Sequence, residues 1–254
     1  MKYNNILITA CNSQYVKACL TLISHVQQFP VYDKIDQIIV YNLGMTQEQI
    51  DYLNSCEKVT VQFFGKDTLT FFPGYLDPKT YAWKMYAIYQ GQFLANNCVF
   101  YLDAGVAPIR DFSCVYNNIE SDGIFLIGSL HKIGEHITDD CKDYMNVQDC
   151  ELEHEAISAA IQGYRVNSWA VENYINLGFE ISKEPKAICG PKYGPKPHRH
   201  DQTIYSLLAH RLGKATFHDV YKYAGWLNPN MHPEQIFWHH RRNYINFNKL
   251  RKRI

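Results

Sequence analysis

Short apolar runs recur along the first hundred residues, and segments of helical period separate them. Asn5-Ile6-Leu7-Ile8-Thr9-Ala10 predicts a first buried strand. Ser13 is placed to cap a helix carrying Val16, Cys19, Leu20, Ile23 and Val26 on one face. Gln37–Tyr41 predicts a second strand, with Asn42 and Gly44 turning the chain. Thr46-Gln47-Glu48-Gln49 has capping-box spacing and opens a short helix with Ile50 and Leu53 inward. Val59–Phe63 predicts a third strand. After a loop containing Phe72-Pro73-Gly74 and Asp77-Pro78, a helix is expected with Ala82, Met85, Tyr86, Tyr89 and Phe93 on one face. It leads into the apolar strand Val99–Leu102. Strands alternating with helices predict an α/β fold whose mostly parallel sheet is built by right-handed crossovers.

Beyond residue 103 the pattern loosens. Gly123–Gly128 predicts another buried strand, and Ser129–Cys150 a polar loop or short helices. Glu153–Ala160 has helical character, Gln162–Val166 that of a strand, and Trp169–Leu177 that of a helix stopped by Gly178. Gly190–Pro197 is too rich in proline and glycine for regular structure. It delivers His198-Arg199-His200-Asp201-Gln202 to a helix with Ile204, Leu207 and Leu208 on its core face. With no repeat and no low-complexity linker, residues 1–254 read as one domain. Residues 1–110 form its regular half, and residues 111–254 its looser half.

The densest chemistry sits where the fourth strand stops. Val99-Phe100-Tyr101-Leu102 ends in one carboxylate, Asp103, then Ala104, Gly105 and, after Val106 and Ala107, Pro108. Two small residues let the backbone turn and a ligand approach. In open α/β sheets the carboxyl edge of the strands is where ligands bind. Asp103 there can hold a divalent metal or a ribose hydroxyl, or simply cap the next turn.

Composition narrows the classes. The 254 residues carry no net charge, so the chain as a whole has no footprint for nucleic acid. The exception is the end: Arg241, Arg242, Lys249, Arg251, Lys252 and Arg253 follow His239 with no acid among them. Such a tail can touch an anionic membrane face, an acidic partner, or only solvent. No apolar run reaches the ~18 residues of a membrane helix. Met1–Asn5 leads straight into a strand, so no signal peptide is expected. Eight cysteines without any Cys-x-x-Cys pair read as thiols of a reducing compartment, which predicts a cytoplasmic protein. The first turn, Thr9-Ala10-Cys11-Asn12-Ser13, lacks the glycines of a dinucleotide fold or phosphate loop.

Several of these blocks together resemble the GT-A glycosyltransferases, nearest to the glycogenin and galactosyltransferase type of family 8. The first strand with Thr9-Ala10, the block Tyr81-Ala82-Trp83-Lys84 before a helix, Tyr101-Leu102-Asp103-Ala104-Gly105, and Arg199-His200-Asp201-Gln202 come in that family's order. The resemblance spans Asn4 to about Leu212. It implies a Rossmann-like α/β/α sandwich that moves a sugar from a nucleotide-sugar donor, a UDP-sugar, to a glycan or other hydroxyl acceptor. Residues 1–110 would hold the nucleotide, and the rest the sugar and the acceptor.

By position, the resemblance gives Thr9, Ala10 and Asn12 to base and ribose, with Tyr15 as a stacking group. Lys84, Arg241 and Arg242 would meet the diphosphate. Asp103 and His240 would hold Mn2+ or Mg2+. Asp201 would meet donor-sugar hydroxyls, and Gln202 the anomeric carbon, which favours a retaining course. A lysine on a helix ordinarily faces solvent, and Asp201 also suits a helix cap. His198 and His200 read as loop residues or a metal pair, and His131 and His136 as the acceptor side. Glu135, Asp139 or Asp140 could serve an inverting enzyme as base.

One departure matters. The family pattern is Asp-x-Asp, whereas Gly105 stands where the second carboxylate belongs. That keeps open a GT-A module that binds a nucleotide or glycan without transfer. A nucleotidyltransferase fits less well, for want of a glycine-rich phosphate loop.

Overall fold

The computed structural model describes residues 2–191, 197–213, 217–226 and 232–241. Among the described residues, ten strands follow in chain order: β1 (Tyr3–Cys11), β2 (Gln37–Asn42), β3 (Val59–Gln62), β4 (Ala95–Leu102), β5 (Val106–Pro108), β6 (Ile124–Lys132), β7 (Glu155–Arg165), β8 (Phe217–His218), β9 (Ala224–Trp226) and β10 (Phe237–His239). Seven form one sheet in the order β3-β2-β1-β4-β7-β6-β8. The pairs β1–β2, β2–β3, β1–β4 and β6–β8 are parallel, while β7 runs against both β4 and β6. One strand is therefore reversed in an otherwise parallel sheet. A second, small sheet pairs β10 with β5 and β9.

The continuous apolar strands are explained by burial on both faces. Ile6, Ile8 and Ala10 of β1 pack into one core, which includes residues of the helices Ala82–Leu94 and Asp201–Leu212. Leu7 and Cys11 pack into the opposite core, with residues of Val16–Val26 and Ser113–Asp122. The predicted capping box is present: Gln49 N donates to Thr46 Oγ1, and Thr46 N donates to Gln49 Oε1.

Local signals misled at four places. Ser13 does not cap Val16–Val26; its hydroxyl donates to Gly44 O instead. Glu155–Ala160, expected as helix, is the first half of β7. Its alanines carry no strand preference, but β6 pairs with this half, and the second half of β7 lies between β4 and β6. The polar stretch after residue 128 does hold a short helix as expected, Asp139–Met145, but its first part is strand, because β6 continues to Lys132. Gly178 does not end a helix. A π-helical turn, Val171–Asn176, runs into helix Leu177–Ile181, and a Cβ on Gly178 would lie 2.7 Å from Tyr205 Cε1. The glycine is there so that this segment can pack against helix Asp201–Leu212.

Candidate functional site

Three elements end at one edge of the sheet. Asp103 follows β4 directly, and its backbone N–H is held by Ala160 O at 2.9 Å. Lys84 lies in the first turn of helix Ala82–Leu94, and Asp201 is the first residue of helix Asp201–Leu212. Lys84 Nζ lies 3.0 Å from Asp103 Oδ1 and 3.0 Å from Asp201 Oδ2. The lysine side chain is 3% exposed, that of Asp201 5% and that of Asp103 33%. The opening to solvent is therefore at Asp103. Tyr101 Oη donates to the same Asp103 Oδ1 at 2.8 Å. The rings of Tyr81 and Tyr101 flank the ammonium at 5.2 and 5.4 Å.

A cation in the first turn of a helix works against the helix dipole, and an anion there works with it. Lys84 is therefore held by its carboxylate partners rather than by its own helix. Burial disfavours its charged form, but Asp103 and Asp201 outweigh that and raise its pKa above the ordinary lysine value. Burial pushes the Asp201 carboxyl up to about 6 against the pull of Lys84, and the Asp103 charge adds to the rise. One ammonium thus serves two carboxylates, and the ionised cluster carries an excess negative charge.

The surrounding backbone is strained. Tyr81, His200 and Arg241 all have positive φ, at 58°, 49° and 62°. Tyr81 and His200 stack across the two helix starts, with ring centroids 5.4 Å apart. Non-glycine residues persist in such conformations only where their surroundings over-determine them, and they cluster at binding sites.

Gly105 meets the backbone of Arg241 directly. Arg241 N donates to Gly105 O at 3.0 Å, and a Cβ at residue 105 would lie 3.0 Å from both Arg241 Cα and Arg241 O. Glycine here is a requirement of close backbone approach. His239, at the end of β10, is buried, and burial pushes its pKa down to about 4; Asp103 opposes the fall, while Arg241 and Lys84 add to it. His240 is buried beside it, its ring 5.6 Å from that of Trp238.

The register that pairs Ile8 with Tyr101 puts Thr9 and Ala10 level with the end of β4. Both are buried. Asn12 Oδ1 accepts from Gln14 N, and Tyr15 is the residue before helix Val16–Val26. Gln202 follows Asp201 and is half-buried. Arg241 is exposed, while Arg242 and the rest of the basic tail lie outside the described residues, as does most of the proline-rich loop. His198 and His200 are not open loop residues. Both are buried, with His198 Nε2 2.9 Å from Ala187 O and His200 Nδ1 2.8 Å from Ile188 O. His131, near the end of β6, lies together with Glu135 and His136 of the turn that follows, and Asp139 pairs with Lys142 at 3.9 Å.

Sequence reasoning passed over Tyr101, Tyr81 and His239. Tyr101 left a signal, since residues two apart on a strand share a face, here with Asp103. Tyr81 and His239 left none, because stacking on His200 and proximity to Asp103 arise only on folding.

A divalent cation at Asp103 can be tested against these residues. Asp103 Oδ2 takes no protein hydrogen bond among the described residues, and the cluster has negative charge to spare. That fits a hard cation held by one carboxylate, water and a diphosphate. It does not fit a cage of protein ligands. Gly105 supplies none, and among the described residues no group of three His, Cys, Asp or Glu side chains placed to hold an ion includes Asp103.

No family model matches the sequence. No curated protein matches it either. Solved structures do match. An active-site mutant of LgtC superposes with TM-score 0.61 at 12% identity, over 98% of this chain and 95% of that one. Galactosyltransferase LgtC in complex with donor and acceptor sugar analogues gives 0.59 at 12%, over 92% and 86%. The bifunctional glycosyltransferase WbbM gives 0.58 at 12%, over 94% of this chain but 46% of that one. The chain thus spans under half of WbbM. Core-mannan synthase A from Aspergillus fumigatus, in its Mn/GDP form, gives 0.53 at 11%, over 82% and 69%.

The fold is that of the GT-A glycosyltransferases. The expected architecture, a single α/β domain with a mostly parallel central sheet, is what the structure has. Among the described residues no helix is long and apolar enough to cross a membrane.

Proposed function

We propose that this chain is a glycosyltransferase that moves a sugar from a nucleotide donor, a UDP-sugar, to a hydroxyl of a glycan acceptor. The observation that carries the reading is the buried Lys84 ammonium between Asp103 and Asp201 at the carboxyl edge of the sheet. LgtC was solved with donor and acceptor sugar analogues, on the same fold.

In such a transfer the bond from the anomeric carbon to the diphosphate breaks, and a bond to the acceptor oxygen forms. Charge builds on the departing diphosphate, so preorganised cations there stabilise the transition state more than the ground state. Lys84 is fixed before the donor arrives, which lowers the cost of ordering it. Arg241 and Arg242 add guanidinium contacts to the phosphates. Asp103 would hold the cation, Mn2+ or Mg2+, mainly with water and the diphosphate, and His240 is its one further candidate protein ligand; when bound, the ion would supply further neutralisation of the leaving group. Thr9, Ala10, Asn12 and Tyr15 take base and ribose in the half formed by residues 1–110. In the half formed by residues 111–254, Asp201 orients donor-sugar hydroxyls and Gln202 faces the anomeric carbon, for a retaining course. The chain works in the cytoplasm, with its basic tail against an anionic membrane face.

A second reading is favoured by Gly105 alone: a module that binds a nucleotide or glycan and transfers nothing. Calorimetry with UDP and UDP-sugars, with and without Mn2+, followed by product analysis, separates the two. Metal-assisted UDP-sugar binding with transfer supports the enzyme, and binding without transfer or hydrolysis supports the module. Asp103→Ala is expected to abolish transfer in a folded protein, and Asp201→Asn to cut turnover far more than donor binding. Full activity in Asp103→Ala would remove the site assignment.

A further inference from the structure

At the end of β6 lies a group of side chains that the proposed transfer reaction does not use. His131, Glu135 and His136 each present one ligand atom, and these atoms all fall within 4.8 Å of one another. His131 Nδ1 is 3.3 Å from Glu135 Oε2, and His136 Nε2 is 4.0 Å from the same oxygen. The ligands of a tetrahedral ion with bonds of about 2.0–2.2 Å stand roughly 3.3 Å apart. The first pair already has that separation, and the second needs a small side-chain rotation.

The backbone builds this arrangement. Leu130 has φ of 64°, and the β6–β7 register shifts between Gly128 and Lys132. Such an irregularity re-aims the side chain that follows it. The short turn Ile133–His136 then brings Glu135 and His136 back toward His131. Ile133 seats that turn: its side chain is buried and its N–H donates to His154 O at 2.9 Å. The Lys132 ammonium is drawn away to Glu153, at 2.6 Å, while the Lys132 backbone bonds to Glu135 beside the two imidazoles.

His136 supplies the second observation. Both of its ring nitrogens are buried and neither has a hydrogen-bond partner. Leaving a buried polar atom unpaired costs about 1–3 kcal/mol, and such an orphan calls for a partner. Arg199 disfavours positive charge on this ring, and Glu135 favours it.

We propose that His131, Glu135 and His136 form a site for one zinc-class divalent cation, with water in the remaining position. Two imidazoles and a carboxylate suit Zn2+ or Co2+ rather than Mg2+, and three protein ligands leave a tetrahedral ion one open position. The site is separate from Asp103, but it shares its edge of the sheet. His136 O accepts from Arg199 N at 3.2 Å and Thr203 Oγ1 at 2.8 Å, residues that flank Asp201. A metal here clamps the end of β6 to the start of helix Asp201–Leu212.

The test uses the full chain and Co2+ as a visible probe, with Zn2+ as competitor. His131 and Glu135 are 43% and 51% exposed, so His131→Asn and Glu135→Gln are expected to fold, as circular dichroism would verify. The expected result is one equivalent of Co2+ with low-symmetry d–d absorption, displaced by Zn2+. Each of these variants weakens its binding by about tenfold or more, whereas Asp103→Asn leaves it intact. No uptake overturns the site. So does uptake that persists unchanged in both His131→Asn and Glu135→Gln, or uptake that carries a thiolate charge-transfer band lost in Cys150→Ser.

Discussion

Lys84 Nζ lies 3.0 Å from Asp201 Oδ2, joining the starts of two helices in a space closed to water. With Asp103 as its second partner, this ammonium is the electrostatic centre of the candidate site.

Replacing Lys84 by Met would leave two carboxylates close together with no cation, one of them buried. Breaking a buried pair from one side costs about 3–5 kcal/mol. Denaturant unfolding of Lys84→Met should show a loss of that order, and Lys84→Met/Asp201→Asn should regain part of it. A single variant as stable as the parent would mean that Lys84 is not structurally coupled to the carboxylates.

Introducing the second carboxylate of an Asp-x-Asp pattern with Gly105→Asp should not create a better metal site. Its Cβ would press on Arg241 Cα and O at 3.0 Å, at a cost of about 1–3 kcal/mol. The expected outcome is a lower melting temperature and no gain in Mn2+-dependent turnover. Higher metal affinity without loss of stability would contradict the close backbone approach.

The raised Asp201 carboxyl, at about 6, sets an acid limb. Below that pH the carboxyl is neutral and, in the proposed role, would no longer orient donor hydroxyls as an anion. Turnover should fall as pH drops through about 6, and the limb should vanish in the residual activity of Asp201→Asn. The stability effect has its own sign. The folded chain holds this proton between the unfolded pKa of 3.8 and about 6, so the Asp201 contribution to stability declines as pH rises across that window. Lys84, raised above its ordinary value, stays charged throughout it. An acid limb unchanged in Asp201→Asn would assign it to another group.

Tyr101→Phe removes only the hydroxyl that donates to Asp103 Oδ1 at 2.8 Å. Hydrogen bonds to charged groups contribute about 1.5–3 kcal/mol, so donor binding should weaken by roughly one to two orders of magnitude, with the fold retained. Calorimetric titration with the donor nucleotide measures this, and an unchanged dissociation constant would show that Tyr101 does not position Asp103.

The first four strands were legible because burial on both faces demands near-continuous apolar runs, and the chain shows them. The end of β4 at Asp103 and the capping box at Thr46 were legible for similarly local reasons. β7 was not, since its alanine-rich first half becomes a strand only by pairing with β6, while its second half lies between β4 and β6. Nor did periodicity give the state of Lys84. A lysine on a helix reads as solvated, and only the tertiary structure sets Asp103 and Asp201 within 3.0 Å of it. The sequence by itself determined which segments could be buried, because burial depends on local pattern. The charge, strain and proximity that make the site depend on residues far apart in the chain, and folding alone decides which of them meet.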